Sequence, residues 1–567
     1  MASPWSLPAD DTSDTDHAAV ATVSLRNALR VLLIASAILL FVDVGGSSIW
    51  DANEAFYVET PRQMVLSGDY VSPTFNGEPR LNKPVLSYWV VAGFYKVLGV
   101  SVTSERLAIA LGTLILIAAT FVIGRTIANT DTGVLAALII ASAPRVMLWS
   151  RRIFIDMYFT SFLAVALMGL VLARAHPDHR RRYLVLMYIG LGLAMLTKGP
   201  AALVLPGLVL VVFLLWTRQS SELKSLMLPV GLVIIAAIVV PWYALLYQRD
   251  GWKPLYDFFV GENVGRYTET VGLQHRVAWF YLPVLLTDLL PWSLFLPAAL
   301  WAAWRDRSAE TRLLIVWIGV FVGVFTFSST KQDLYIFPIV PAVAVLIADV
   351  LYRAVGGRTL SIGVRRLMTI GAVITGIELV AIGGGAFWIV GVARLIPQLP
   401  QAAGVGAVLA LGGVVTLLLL YRSRLSSTVL TLGVTAVVAN WLLVTTVMRP
   451  FEQFKPVPPM STWLREHASP TTVVAHYRTV LPSMTYYLGR PITQVFDIEA
   501  MTRLVDRQAS MYVVLQPHEY EELQGATRER LCVIDRRILP VFDAKLSEVL
   551  SRRLPEVWLV GVKGACQ

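Results

Sequence analysis

The sequence predicts a mostly α-helical, polytopic membrane protein of about thirteen transmembrane helices, with interfacial helices in the first outer loop and a small C-terminal α/β domain. Three observations carry that expectation. Hydrophobic residues fill 56% of 567 positions and charged residues only 15%, with a mean hydropathy of +0.63. That is more apolar surface than a soluble globule buries. Apolar runs of roughly 17–25 residues, the length that crosses a bilayer, recur along the chain. From Arg449 onward prolines gather (Pro450, Pro456, Pro458, Pro459) and the apolar runs shrink to strand length. The expected organisation is a disordered cytoplasmic tail over 1–25, a membrane region over 26–448 and an extracytoplasmic α/β domain over 449–567.

The spans are expected near 29–47, 104–126, 130–148, 154–174, 182–197, 200–217, 226–247, 279–302, 311–328, 334–353, 368–393, 403–421 and 427–447. With the N-terminus inside, the cytoplasmic connections are short and basic. They hold Arg26 and Arg30, Arg125, Arg174 with Arg180–Arg182, Arg218 and Lys224, Arg305 to Arg312, Arg353 to Arg366, and Arg422 with Arg424. This is the positive-inside pattern, and it accounts for the formal net charge of +10 without a nucleic-acid partner. There is no Gly-rich nucleotide motif and no zinc-type Cys/His spacing.

The outer connections differ in kind. Trp50–Lys83 mixes Asp51, Asn53, Glu54, Glu59, Arg62, Asp69, Glu78, Arg80 and Lys83 with Trp50, Phe56, Tyr57 and Tyr70. Aromatic residues among mixed charges suit the headgroup level. Residues 55–67 have helical spacing, with Pro61 expected to bend or interrupt them. Residues 85–98 read as an interfacial helix, too short to span. Beyond the prolines, strands are expected at 472–477, 511–515, 531–534 and 557–562, with helices at 461–467 and 497–507 between them. The two cysteines, Cys532 and Cys566, both fall there and could pair on an oxidising side.

Arg62, Arg80, Lys83, Arg152, Lys198, Arg266 and Lys331 all lie at outer span ends or in outer loops. Gathered round one cavity, such cations suit a phosphate, Arg as a planar fork and Lys as a point charge. A phosphate on a lipid tail would arrive at this depth. Taken alone, each cation reads more readily as a snorkelling anchor than as a ligand; it is the set that favours a phosphate. Glu54, Asp51 and Asp156 are the acids placed to activate an acceptor hydroxyl or hold a sugar. For Asp156 a salt bridge to Arg151 or Arg152 is the competing reading.

The outer residues carry a resemblance. Trp50, Asn53-Glu54, Tyr57, Pro61-Arg62, Met64, Ser67-Gly68-Asp69, Pro73, Asn76-Gly77, Lys83-Pro84 and Tyr88-Trp89 resemble the first outer loop of GT-C-type, lipid-carrier-dependent glycosyltransferases. The lipid A aminoarabinose transferases and protein O-mannosyltransferases are the nearest relatives. Further matches are Arg152 with Asp156, Leu196–Pro200, Glu262-Asn263 with Arg266, Pro291–Ser293, and Lys331 with Tyr335–Pro338.

The resemblance implies inverting transfer of a sugar from a polyprenyl-phosphate donor to a membrane-lipid or glycan acceptor. The setting would be the outer face of a bacterial inner membrane, and the chain would act as a monomer. It implies Arg62, Lys83, Lys331 and Tyr335 for the phosphate, with Asn53, Tyr57, Asn82, Arg152, Lys198, Asn263 and Arg266 completing the substrate site. Two departures stand out. Aminoarabinose transferases have an Asp-Glu pair where this chain has Asn53-Glu54, so the base falls to Glu54 or Asp51 unless the acceptor is already ionised. Where the family often has an acid and a histidine, this chain has Asn82 and Asn263, so no metal and no other cofactor is expected. A flippase for lipid-linked glycans is the alternative. It predicts polar residues along the mid-bundle, whereas the polar groups here cluster on one face. An outer-face scaffold, led by the C-terminal domain, is the third class.

Overall fold

The computed structural model describes residues 15–268, 276–306, 308–356, 360–396, 398–538 and 555–565. Helix α1 (Thr15–Leu39) begins ten residues before the expected end of the tail. Residues 15–39 contain no Gly or Pro to stop a helix. After α1 come α2 (Asn53–Ser67), the hairpin β1 (Thr74–Phe75) and β2 (Glu78–Pro79), and α3 (Leu86–Leu98). The bundle continues with α4 (Val102–Ile127), α5 (Thr130–Ser142), the short α6 (Pro144–Trp149), α7 (Ile155–Ala175), α8 (Arg180–Lys198), α9 (Ala201–Thr217) and α10 (Leu228–Asp250).

This is a multi-pass membrane protein. Among the described residues, eight helices are long and apolar enough to cross a membrane. Several of the thirteen expected runs are helical but shorter or broken. The third run stops at Ser142 and restarts at Pro144, as a proline without an N–H requires. The eighth divides into Tyr281–Thr287 and Leu296–Asp306 around Pro291. Where helices approach closely, small residues allow it: a Cβ on Gly169 of α7 would lie 2.7 Å from the backbone of α8.

In the first outer segment one element differs from expectation and one agrees with it. Helix α2 runs unbroken through Pro61. Its buried face of Ala55, Val58, Glu59, Thr60 and Met64 holds it in place, outweighing the one hydrogen bond that proline forfeits. Gly68, at φ 74°, ends it by donating its N–H to the Met64 carbonyl. Helix α3 buries Ser87, Tyr88, Val91, Ala92 and Tyr95, the spacing of one helical face.

Residues 473–562 contribute a five-stranded sheet in the order β4-β3-β5-β7-β6. Its strands are β3 (Val473–Tyr477), β4 (Thr493–Val495), β5 (Met511–Leu515), β6 (Leu531–Ile538) and β7 (Glu556–Val562). β3 runs parallel to β4 and β5, while β7 is antiparallel to β5 and β6. β5 is buried at all five positions, as a central strand of Met-Tyr-Val-Val-Leu should be. Cys532 is disulfide-bonded; Cys566 lies outside the described residues. The sheet region docks on the first outer segment. Asp51 accepts from the backbone N–H and hydroxyl of Ser483, both at 2.6 Å. Asn76 exchanges two bonds with the Ile492 backbone.

Candidate active site

Two groups of charges form on the outer side, and they are built differently. The first surrounds Glu54. Its carboxylate is an ion-pair partner of Arg106 on α4, both side chains being wholly buried. It also accepts the backbone N–H of Trp50 at 2.8 Å and of Ile153 at 2.9 Å. With both oxygens occupied, Glu54 ties α2, α4 and the start of α7 together. The carboxylate that the sequence offers for acceptor activation thus also has a structural role, with a guanidinium and two backbone amides on its oxygens.

Trp50 lies between two cations. The Arg152 guanidinium is 3.7 Å from its ring centroid and the Lys455 ammonium 4.0 Å. Lys455 also donates to Ser47 Oγ and to the Ser48 carbonyl, and pairs with Glu452 at 2.8 Å. Burial lowers Lys455 to about 8, opposed by Glu452, and lowers Arg152 to about 10, opposed by Glu54. Asp51 is accessible at its backbone, yet dense protein round its carboxyl raises it to about 6 against the pull of the Ser483 bonds.

The second group joins four elements. Lys198, at the end of α8, forms an ion pair with Asp156 in the first turn of α7. The competing reading, Asp156 with Arg151 or Arg152, is corrected: Arg151 donates instead to the carbonyls of Leu39, Val42 and Asp43 beyond α1. The Lys198 ammonium also faces the rings of Phe159 at 5.1 Å and Tyr335 at 5.3 Å. Lys83 pairs with Glu262 at 3.0 Å. Next to Glu262, Asn263 donates to the Phe258 carbonyl at 2.7 Å and abuts the Lys198-Gly199 turn. Gly199 sits at φ 99°, where a Cβ would lie 2.6 Å from the Phe258 ring; only glycine makes this turn beside that ring. Lys331, buried, donates to the Ser328 carbonyl at 2.8 Å, and Tyr335 follows it in the 3-10 segment Asp333–Ile339.

Asp156, Lys198 and Tyr335 are therefore in contact, Lys83 and Asn263 join them through Glu262 and the Gly199 turn, and Lys331 lies four positions before Tyr335. The segment 153–156 links this group to the first, since Ile153 binds Glu54 and Asp156 binds Lys198. Other expected residues sit apart. Arg62 makes a two-pronged pair with buried Glu59 at 2.6 and 2.7 Å. Tyr57 is buried, its ring stacked on Tyr88 at 5.6 Å. Asn53 is exposed at the start of α2, and Asn82 keeps a buried Oδ1 without a hydrogen-bond partner. The Arg266 side chain lies outside the described residues.

Sequence reasoning missed Arg106, Lys455, Glu262 and Ser483. Arg106 had a signal: a charged Glu105-Arg106 pair in a span-forming stretch is costly, so partners had to exist. Tyr95 supplies one, donating to Glu105 at 2.9 Å.

Comparison with known proteins follows this geometry. Residues 82–244 match the dolichyl-phosphate-mannose-protein mannosyltransferase family. A Pseudomonas aeruginosa protein named undecaprenyl phosphate-alpha-4-amino-4-deoxy-L-arabinose arabinosyl transferase is 31% identical over 339 residues, covering 58% of this chain and 61% of its own length. A Pseudomonas fluorescens protein of the same name is 30% identical over 346 residues, covering 59% of each. The matched region thus spans about three fifths of these relatives. The crystal structure of ArnT from Cupriavidus metallidurans bound to undecaprenyl phosphate superposes with a TM-score of 0.76 at 23% identity, covering 93% of this chain and 97% of that one.

The chain has the ArnT fold. It is similar in sequence to the named arabinosyl transferases over about three fifths of its length and to the ArnT structure in fold over nearly all of it.

Proposed function

We propose that the chain is an integral-membrane glycosyltransferase that moves a sugar from a polyprenyl-phosphate carrier to an extracytoplasmic acceptor, a lipid A-like glycolipid or another glycan, with inversion at the anomeric carbon. The observation that carries this reading is the second charge group. Lys83 and Lys198, both partly buried, pair with Glu262 and Asp156, the Lys198 ammonium faces the Tyr335 ring, and buried Lys331 lies four positions before Tyr335. A lipid phosphate displacing Glu262 or Asp156 from its lysine would find fixed ammonium groups in a partly desolvated setting. The ArnT fold and the names of the relatives support the same carrier class.

In the reaction, an acceptor oxygen bonds to the anomeric carbon while the bond from that carbon to the phosphate oxygen breaks. The electron pair leaves with the lipid monophosphate, where Lys83, Lys198 and Lys331 balance the charge. The acceptor proton passes to a carboxylate. Of the three candidate acids, Asp51 is the one whose residue is exposed, and burial of its carboxyl raises it to about 6, near the pH at which a general base works; Ser483 would have to release it. Glu54 positions the loop that carries Asp51. Asn82 and Asn263 are weak ligands for a divalent ion compared with carboxylate and imidazole, so the reaction is expected to run without one. The residues over 449–567 are expected on the same outer side, with the N-terminus inside.

The test is chemical. Purified protein is given polyprenyl-phosphate sugar in liposomes, and free polyprenyl phosphate is measured. Transfer produces it in proportion to glycosylated acceptor. A flippase moves the donor with its sugar–phosphate bond intact, and that result would overturn the reading.

A further inference from the structure

A cavity of about 500 Å³ opens between the first outer loop and the sheet region, within the range of about 300–1,000 Å³ usual for small-ligand sites. One wall is the β1–β2 hairpin with Phe56, Phe75, Glu78, Arg80 and Asn82; the opposite wall includes Gln494 of β4. The Arg80 guanidinium lies 3.7 Å over the Phe56 ring. It has no carboxylate partner among the described residues, and its Nε makes no hydrogen bond. Asn82 Oδ1 is likewise unpartnered, and Gln494 is exposed. The Asn76–Ile492 bonds at 2.9 and 2.7 Å fasten the two walls together.

We infer that this cavity is an acceptor subsite, and that its ligand is a saccharide carrying an anionic group, carboxylate or phosphate. Amide side chains offer a donor and an acceptor together, the pattern that vicinal hydroxyls satisfy. A guanidinium held flat on a ring presents its remaining N–H groups as a fork for one anionic group. The phenyl rings supply an apolar floor for a sugar face. Asn82, in the cavity wall, directly precedes Lys83, so the wall is continuous in the chain with the lysine that the transfer reading assigns to the donor phosphate. On this account the sheet region, through Gln494, takes part in choosing the acceptor. The inference rests on the proposed transferase reading for its role, and on the cavity alone for its ligand chemistry.

Full-length protein in detergent would be titrated with galacturonic acid, glucosamine 1-phosphate, neutral glucosamine and inorganic phosphate, with binding followed by saturation-transfer NMR. At least one of the two anionic saccharides is expected to bind about tenfold or more tighter than glucosamine and than inorganic phosphate. Arg80→Ala should abolish that preference, and Gln494→Trp, at an exposed position, should block the cavity even if Arg80→Ala does not fold. Equal binding of inorganic phosphate would make this a free-anion site and overturn the saccharide assignment. Binding untouched by both variants would place the ligand elsewhere. Donor cleavage by the wild type, measured alongside, separates the two readings. Cleavage without anionic-saccharide binding defeats the subsite alone, whereas saccharide binding without cleavage defeats the transferase and with it the acceptor role.

Discussion

The Glu54–Arg106 knot and the Lys198–Asp156 pair are both ion pairs on the outer side, yet they differ in solvation and in how fully they are bonded. Glu54 and Arg106 have no exposed side-chain surface, and Glu54 has two further backbone donors. Lys198 and Asp156 keep 17% and 7% exposure, and no other hydrogen bond of either side chain is evident among the described residues. A wholly buried pair whose carboxylate is bonded at both oxygens is costly to break and is shielded from a ligand. A pair that keeps some exposure at its lysine and has spare valence can exchange one partner for a substrate phosphate. The first therefore builds the site and the second is available to work in it.

The largest expected effect comes from breaking the knot. Arg106→Ala should destabilise the fold by about 3–5 kcal/mol, because it leaves a buried carboxylate unpaired; thermal unfolding in detergent measures it. Glu54→Leu with Arg106→Met should recover much of that loss. Full stability of Arg106→Ala would erase the contrast between the two pairs. Next, Lys83→Ala and Lys198→Ala should each lower sugar transfer about 100-fold or more, while unfolding moves by less than for Arg106→Ala, by about 1–3 kcal/mol, because a partly buried carboxylate loses its partner. Loss of folding in step with activity would assign these lysines to the scaffold.

Asp51 gives a smaller, pH-dependent effect. Its carboxyl is raised from 3.8 to about 6, so the folded state holds the proton more tightly than the unfolded one. The resulting stabilisation is full below about pH 3.8 and is lost as pH rises through about 6. Wild type relative to Asp51→Asn should therefore lose stability across that window, by under about 1 kcal/mol once solvent screening at this accessible residue is counted. A difference of opposite sign would overturn the burial argument. The smallest effect belongs to Lys253–Asp257, exposed 87% and 58%. Lys253→Ala should change stability by less than about 0.5 kcal/mol and leave transfer unchanged.

The same contrast explains what could be read from the sequence. Lys83, Asp156 and Lys198 were legible as polar residues at span ends, which are costly unless used, and Tyr335 through the family resemblance. Their partners were not: Glu262 is 179 positions from Lys83, and nothing local announces such a pairing. Glu54 was legible as important but not as structural, since Arg106 lay hidden in an apolar stretch. Helix positions followed from apolar runs, whereas continuity through Pro61 depended on tertiary burial that periodicity does not carry. β4, three residues long with two of them exposed, has no apolar run to betray it. Ser483 and Lys455, which lock the sheet region to Asp51 and Trp50, look like ordinary polar residues until the chain folds back more than 400 positions.

The most direct test is the rate at which purified protein releases polyprenyl phosphate from polyprenyl-phosphate sugar in the presence of acceptor, for wild type, Lys198→Ala and Lys253→Ala side by side. The account predicts release by wild type and Lys253→Ala at matching rates, and at least about a 100-fold drop in folded Lys198→Ala. No release by wild type, or undiminished release by Lys198→Ala, would contradict it.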